Sequence, residues 1–309
     1  MNIVPIAFAF DNNLVMPACI CISSLMMNAN EDTFYDIFIL HSASENLDKS
    51  DLDRIPNHYK NCRIQYRTVG NEFDGAFEIR GITTPAYYRL LIPELIPEYD
   101  KVLYSDVDVI FRDDMCKIYN TNIDEYYIGG VNSVAHLEDD TTVYYNKLGL
   151  DAKSIIYSGN LIINSKEILR DNIISKFKAL RDRKLRFQDM DMINIVCKDK
   201  IKYLPPAYCW TNYINKYSVE CNPLLYEVFT AEEIELAKDR GLVHYNGQKP
   251  WKGYCVNFDI WWEYYRKSLF YDEKFYFDFF YKKLDELDQL PLMKRIKILV
   301  RYFVYGKKS

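Results

Sequence analysis

The sequence predicts an α/β protein built on a mostly parallel central sheet. At 309 residues, 49% of them hydrophobic, the chain is long enough and apolar enough to bury a large core. Short apolar runs also alternate with helical segments through residues 3–104. Such β-α-β-α alternation is typical of a parallel sheet that helices cover on both faces.

Hydrophobic spacing places the individual elements, because apolar runs between turn residues predict strands and longer amphipathic segments predict helices. In chain order we expect a strand at 3–10, a helix at 14–28, a strand at 35–40, a polar helix at 45–55, strands at 63–67 and 101–104 with a helical stretch at 84–92 between them, a strand at 127–131, an irregular segment at 132–148, an apolar run at 156–164, and helices at 166–180 and 189–198. Gly159 lies inside one apolar run, which indicates a close approach to the backbone there.

Two aspartates directly follow the apolar run 101–104. Asp106 and Asp108 are separated by Val107, and side chains two residues apart lie on the same side of an extended backbone. They are therefore expected to converge beyond the carboxyl end of a strand, where open α/β sheets bind their ligands. Two carboxylates there suit Mg²⁺ or Mn²⁺ carrying a phosphate group. The alternative is that Asp106 caps the next segment and Asp108 is solvated.

A second polar cluster lies far downstream, at residues 244–251 with the sequence HYNGQKPW. His244 could complete a metal site with the two aspartates. Gly247 would let a phosphate approach the backbone, and Lys249 would supply a positive charge. The alternative is a loop histidine beside an exposed lysine.

Composition excludes several other classes. The net charge of −5 argues against a nucleic-acid-binding surface, and no glycine-rich dinucleotide or P-loop fingerprint is present. The eight cysteines are scattered without metal-binding spacing, which favours a reduced, cytoplasmic compartment. The start of the chain reads as a first strand and not as a signal peptide.

Five motifs in order resemble those of family 8 of the retaining glycosyltransferases, the family of the bacterial lipooligosaccharide galactosyl- and glucosyltransferases and of glycogenin. They lie at 8–13, 83–90, 106–108, 187–194 and 244–251. The resemblance implies a GT-A fold, that of the nucleotide-diphospho-sugar transferases. It also implies a catalytic domain over residues 1–255, which leaves a helical, aromatic and basic C-terminal tail over 256–309.

The resemblance also implies a role for each matching residue. Asp11 and Asn13 would hold the uracil and ribose of a UDP-sugar, and Arg89 would contact its sugar or diphosphate. Asp106, Asp108 and His244 would bind the Mn²⁺ (or Mg²⁺), and Val107, which lies between the two aspartates, would contact the donor. Gly247 and Lys249 would bind the phosphates, and Ser158, Gly159 and Asp189 would bind the donor sugar. Asp189 and Arg89 are the implied catalytic residues.

The implied activity is metal-dependent transfer of galactose or glucose from UDP to a hydroxyl of a cell-envelope glycan, glycolipid or glycoprotein, with retained anomeric configuration. A divalent ion and a lysine would stabilise the charge on departing UDP. The chain departs from the family at Ser158 and Met190, where Asn and Gln are frequent, and at Leu14, where an aromatic often stacks on uracil. The spacing from His244 to Lys249 is also one residue shorter than in many relatives.

Two other functions remain open. A haloacid-dehalogenase-like phosphohydrolase also has an apolar strand that runs into a D-x-D pair, although there the motif normally opens the catalytic domain. A catalytically silent sugar-nucleotide-binding module would fit the changes at Ser158 and Met190.

The last segment, residues 291–309, carries six basic residues and no acidic one. On a helical wheel Leu292, Ile296, Leu299 and Phe303 share one face, and Lys294, Lys297 and Arg301 share the other. One interpretation is peripheral contact with the inner face of the cytoplasmic membrane, because basic amphipathic helices bind anionic lipid surfaces. The other is a helix docked on the domain with solvated lysines.

Overall fold

The computed structural model describes residues 1–78, 83–137 and 139–305, with side chains described for all of these except 139 and 301–305. The strands are β1 (Asn2–Ala9), β2 (Thr33–Ser42), β3 (Cys62–Val69), β4 (Lys101–Ser105), β5 (Val109–Phe111), β6 (Ile128–Asn132), β7 (Ile156–Asn164), β8 (Ile201–Tyr203), β9 (Trp210–Thr211) and β10 (Leu242–His244). The helices are α1 (Val15–Met27), α2 (Ile55–His58), α3 (Ile92–Leu95), α4 (Cys116–Tyr119), α5 (Asp139–Lys147), α6 (Ser165–Arg170), α7 (Ile173–Ala179), α8 (Gln188–Cys197), α9 (Asn212–Val219), α10 (Pro223–Tyr226), α11 (Ala231–Asp239), α12 (Phe258–Lys267), α13 (Glu273–Asp288) and α14 (Leu292–Tyr305).

The larger of the sheets in the described part of the chain has the strand order β3-β2-β1-β4-β7-β6-β8. Strands β1, β2, β3 and β4 run parallel, and so do β6 and β8. Strand β7 lies between the two groups and is antiparallel to both β4 and β6. The predicted α/β class with a mostly parallel central sheet is confirmed.

Alternate residues of each central strand enter two hydrophobic cores, one on each face of the sheet. In β1, Ile6 and Phe8 join the core that contains α1 and α12, whereas Ala7 joins the core that contains α3, α7 and α8. Burial on both faces explains why the central strands read as continuous apolar runs and not as alternating ones.

A smaller sheet, with the order β5-β10-β9, sits beyond the carboxyl end of β4. Residues 106–108 form the link from β4 in the large sheet to β5 in the small one. Strand β10 pairs antiparallel with β5, so that His244 lies opposite Val109. The junction of the two sheets therefore brings His244 next to the aspartate pair.

The C-terminal helices differ in how they pack. In α12 the side chains of Trp261, Trp262 and Tyr265 are buried in the core beside α1. Helices α13 and α14 expose much of their apolar surface. The predicted helical tail is present, while a domain boundary at residue 255 stays a prediction. No described helix is both long and apolar enough to cross a bilayer.

Two of the predicted helices are wrong in part. The polar helix expected at 45–55 forms only from Ile55 onward, after a short 3₁₀ turn. Before it, Asp48 Oδ1 accepts a bond from Ser50 N at 3.0 Å and Asn12 Oδ1 accepts one from Asp48 N at 2.7 Å. Such side-chain bonds to the backbone compete with helix formation. The helix expected at 166–180 divides into α6 and α7 around Asn172, whose φ is 50°.

The segment 132–148, expected to be irregular, contains helix α5. The segment is polar in composition, yet the side chain of Tyr145 within it is fully buried. The hydroxyls of Tyr144 and Tyr145 donate to Asp191 at 2.6 and 3.0 Å, so their burial leaves no hydroxyl proton unsatisfied. That long-range partner is what the local sequence could not show.

Candidate active site

The backbone alone brings the two aspartates and the histidine together. Asp106 follows β4, and its N–H donates to the carbonyl of Gly159 in β7 at 2.8 Å. Two residues on, the carbonyl of Asp108 accepts the N–H of Tyr245 at 2.9 Å, directly after His244 at the end of β10. One metal-ligating atom from each of Asp106, Asp108 and His244 lies within 4.8 Å of the other two. The predicted convergence of these three side chains is thus present in the structure.

Each aspartate has one oxygen held by the protein and one turned toward the imidazole. Asp106 Oδ1 accepts hydrogen bonds from Arg89 Nη2 at 2.9 Å and from the Tyr104 hydroxyl at 2.8 Å. Its other oxygen, Oδ2, lies 3.7 Å from His244 Nε2. The carboxylate is therefore oriented before any ligand arrives.

Asp108 repeats this arrangement with a different cation. Its Oδ2 pairs with the ammonium group of Lys249, which also donates to the carbonyl of Tyr245 at 2.7 Å. Its Oδ1 lies 3.3 Å from His244 Nε2. Lys249 thus contacts the site at Asp108, and two of its three N–H groups are used there.

Arg89 connects the aspartate pair to a third carboxylate. It is buried, its Nη1 donates to the carbonyl of Ser158, and its Nε lies 3.2 Å from Asp189 Oδ2. Its guanidinium also stacks 4.4 Å from the ring centroid of Tyr104. Arg89, Ser158 and Asp189, predicted from separate parts of the sequence, therefore form one contiguous group with Asp106.

His244 packs closely against the backbone at Gly159. A Cβ at this position would lie 2.7 Å from Asp106 Oδ2 and would collide with the imidazole of His244. The close approach predicted from a glycine within a strand is thus made by His244 and Asp106. Gly247 is packed less tightly, since a Cβ there would lie 3.1 Å from Asn212 Nδ2.

The charges of the site shift several pKa values. Burial opposes ionisation of Asp108, but Lys249 and His244 hold the pKa of this carboxyl well below its usual range. Burial likewise opposes protonation of His244, yet the charge and hydrogen bond of Asp108 raise its pKa to about 10. Burial raises the pKa of Asp189 to about 6 even though Arg89 lowers it. The site therefore holds closely spaced and largely compensated charges.

The remaining predicted residues lie around this group. Asp11 follows β1, which pairs in parallel with β4, so Asp11 and Asp106 emerge at the same edge of the sheet. Asp11 Oδ1 accepts a bond from Asn13 N at 3.0 Å, and Asn13 is exposed. Val107 is buried, with its side chain in the core. No contact joins Asp11 or Asn13 to the aspartate pair among the described interactions.

Sequence reasoning missed three side chains that touch this site. Tyr104 lies two residues before Asp106 in extended chain, so the period of two could have identified it. Cys209 Sγ lies 3.5 Å from His244 Nδ1. Asn212, whose Oδ1 is buried without a hydrogen-bond partner, stands against Gly247. The last two carry no local signal, because their proximity depends on the pairing of β9 with β10.

Comparison with known sequences agrees with this geometry. The model of glycosyl transferase family 8 matches residues 5–255. A Haemophilus influenzae protein assigned as a glycosyltransferase is 24% identical over 216 residues, covering 68% of this chain and 63% of that protein. The lipopolysaccharide 1,2-glucosyltransferase of Escherichia coli is 23% identical over 256 residues, which cover 80% of this chain and 72% of that protein. The chain thus spans slightly less than two thirds of the Haemophilus relative.

Among solved structures, galactosyltransferase LgtC in complex with donor and acceptor sugar analogs superposes with a TM-score of 0.69. The identity is 23%, and the match covers 88% of this chain and 98% of that chain. At this identity the likeness shows the fold, which is the GT-A fold expected from the motifs. Since the family model covers most of the sequence, the chain belongs to glycosyl transferase family 8.

Proposed function

We propose that this protein transfers galactose or glucose from a UDP-sugar to a hydroxyl of a cell-envelope glycan, glycolipid or glycoprotein, with retention and with Mn²⁺ or Mg²⁺ as cofactor. The observation that carries the proposal is the convergence of Asp106, Asp108 and His244. Family membership supports glycosyl transfer and leaves the phosphohydrolase alternative without support.

The three donor atoms fit a small divalent ion. Around an octahedral ion with bonds of about 2.1 Å, neighbouring ligand atoms lie roughly 3 Å apart. The distances of 3.3 Å and 3.7 Å from His244 Nε2 to Asp108 Oδ1 and Asp106 Oδ2 are close to that spacing. Two hard carboxylate oxygens and one imidazole nitrogen also suit Mn²⁺. A bound ion would act as a Lewis acid toward the departing diphosphate.

The surrounding side chains have separate tasks in this proposal. Lys249 holds Asp108 in orientation and supplies positive charge where negative charge develops on UDP. Arg89 holds Asp106 in orientation, supplies a second positive charge there, and also keeps Asp189 next to the donor sugar. Asp189 would accept hydrogen bonds from the hydroxyls of that sugar, with Ser158 and Gly159 adjacent. Because the ligand oxygens are already oriented, binding costs little reorganisation.

The nucleotide end of the donor would lie along the edge shared by β1 and β4. Because these strands pair in parallel, Asp11 and Asn13 follow β1 at the same carboxyl edge of the sheet at which Asp106 follows β4. We assign these two residues to the uracil and ribose, and Gly247 to the phosphates. Leu14 is only partly buried against the core and would offer an aliphatic contact to the base.

The test is a screen of UDP-sugars for Mn²⁺-dependent release of UDP. We expect turnover with UDP-galactose or UDP-glucose, and its loss in each of Asp106→Asn, Asp108→Asn and His244→Ala without unfolding. A matched control is Asp51→Asn, which changes a carboxylate of another D-x-D pair on the exposed surface. Normal turnover in any of the three site variants would refute the site, and UDP-sugar binding without turnover in the wild type would favour the silent binding module.

We also propose peripheral contact between α14 and an anionic membrane surface. Five apolar side chains occupy one arc of this helix and are 42–70% exposed: Leu292, Met293, Ile296, Leu299 and Val300. Lys294 and Lys297 occupy the other side. Arg301, the third residue of the predicted basic face, lies outside the described side chains, as do Lys307 and Lys308 of the same basic segment. An apolar arc left in solvent beside lysines suits the lipid headgroup boundary.

The membrane proposal is tested by sedimentation with phosphatidylglycerol-containing and pure phosphatidylcholine vesicles. The full chain should sediment with the anionic vesicles only. Deleting 291–309, or changing Lys294 and Lys297 to Glu in the full chain, should reduce that binding at least tenfold. Undiminished sedimentation after deletion would favour the interpretation of a docked helix.

A further inference from the structure

The two ring nitrogens of His244 face different parts of the protein. Nε2 points to the carboxylates of Asp106 and Asp108. Nδ1 lies 3.5 Å from the sulfur of Cys209, a residue with no exposed surface. The imidazole is therefore held at the nitrogen that the metal site does not use.

We infer that Cys209 is a positioning residue that orients His244 for metal binding, an inference that rests on the proposed metal-dependent function. A neutral imidazole has one N–H, and a nitrogen that donates its lone pair to a metal cannot carry it. If Nε2 is the ligand, the proton is on Nδ1 and needs an acceptor. The Cys209 sulfur is the atom placed to accept it.

The backbone fixes both partners of this contact. Strand β9 pairs in parallel with β10, and Thr211 is in register with His244. Cys209 comes just before β9, where its N–H donates to the carbonyl of Pro206 at 3.1 Å at the end of a 3₁₀ turn. On another side of the ring, a Cβ at Gly159 would lie 3.0 Å from Nδ1. The ring is thus enclosed by Gly159 and fixed in rotation by Cys209.

The choice of sulfur has a chemical consequence. Metal-ligating histidines usually donate their second N–H to a carboxylate, a carbonyl or water, and such partners raise the basicity of the ligand. A thiol is a weaker acceptor, so it would orient His244 while raising its basicity less than a carboxylate would.

A purely structural role is the competing explanation, since a buried cysteine also packs as a small hydrophobic residue. Two substitutions separate the roles. Cys209→Ala removes the acceptor, whereas Cys209→Ser restores an acceptor oxygen at the same position. Cys197→Ala is the matched control, because Cys197 is equally buried but lies in the core on the opposite face of the sheet.

The experiment measures Mn²⁺ affinity of the full chain in the presence of UDP, from the electron paramagnetic resonance signal of free Mn²⁺. Cys209→Ala should weaken Mn²⁺ binding about tenfold, which is the lower end of the loss of affinity seen when a ligating histidine loses its hydrogen-bond partner. Cys209→Ser should keep an Mn²⁺ affinity within roughly threefold of the wild type. Cys197→Ala should bind as wild type does.

Four outcomes are decisive. Wild-type affinity in Cys209→Ala, or an equal loss in Cys209→Ser and Cys209→Ala, overturns the positioning role while leaving the metal site intact. A tenfold loss in Cys197→Ala would show that cavity formation alone explains the effect. Failure of the wild-type protein to bind Mn²⁺ overturns the proposed function itself, together with this inference.

Discussion

Replacing Asp189 by asparagine should stabilise the protein above neutral pH while abolishing sugar transfer. Asp189 is 4% exposed, and burial raises its pKa from 3.8 to about 6 although Arg89 lies 3.2 Å away. The folded protein therefore binds a proton at this carboxyl more tightly than the unfolded chain does. Ionising it costs folding free energy, which the isosteric amide avoids.

The magnitude follows from the two pKa values. Each pH unit between the unfolded value of 3.8 and the folded value of about 6 costs about 1.4 kcal/mol, or about 3 kcal/mol in total. Below 3.8 both states are protonated and the cost is zero. It grows as the pH rises to about 6 and is constant above that. Asp189→Asn should therefore match the wild type near pH 4 and exceed it by about 3 kcal/mol near pH 8.

The assay is urea unfolding of both proteins at the two pH values, with UDP release measured in parallel. Asp191→Asn is the control from the same helix. Asp191 accepts hydrogen bonds from Tyr144, Tyr145 and the Phe187 N–H, so an amide there turns an acceptor into a donor and should destabilise the protein. A less stable Asp189→Asn variant near pH 8, or a gain that does not depend on pH, would refute the reasoning.

Three further outcomes are expected. Gly159→Ala should displace the His244 ring and lower Mn²⁺ affinity at least tenfold in the resonance assay with an unchanged circular dichroism spectrum, because the added methyl meets that ring and Asp106. Tyr104→Phe removes one of the donors to Asp106 Oδ1, and transfer should fall roughly tenfold in the UDP-release assay. Asp108 raises the pKa of His244 to about 10, so Mn²⁺ must displace a proton from this imidazole near pH 7. Titration calorimetry in two buffers at about pH 7 should show close to one proton released, and the Mn²⁺ affinity should rise with pH.

The sequence predicted more of the fold than of the contacts within the candidate metal site. Alternating apolar and helical segments were sufficient to predict the parallel sheet. The spacing of two residues was sufficient to predict that the side chains of Asp106 and Asp108 converge. The partnership with His244 was not available from local pattern. It depends on the pairing of β5 with β10, two strands of three residues each that are far apart in the chain. The chemistry of His244 made it a candidate ligand, and the ordered motifs of the family linked it to the aspartate pair.

The position of Arg89 shows the same division between local and long-range information. The motif at 83–90 marked Arg89 as a donor-binding residue, but nothing in it predicted that the guanidinium would join Asp106 to Asp189. That contact arises because β7 runs antiparallel to β4 and brings Ser158 beside Asp106. Helix α8 then packs on β7, where Asn194 exchanges two hydrogen bonds with the backbone of Ile156.

Secondary structure decides which D-x-D pairs of this chain form a site. Asp106 and Asp108 lie in the short link between β4 and β5, outside any helix, and the side chains of both meet at His244. Asp189 and Asp191 have the same spacing on helix α8, where residues two apart diverge by about 200°. Accordingly Asp189 faces Arg89, whereas Asp191 faces the hydroxyls of helix α5. Inserting one residue after Val107 should therefore abolish Mn²⁺ binding, because Asp106 and Asp108 are held in register by backbone hydrogen bonds to Gly159 and Tyr245 and could no longer both reach His244. Metal affinity that survives such an insertion would show that the spacing of two residues does not build this site.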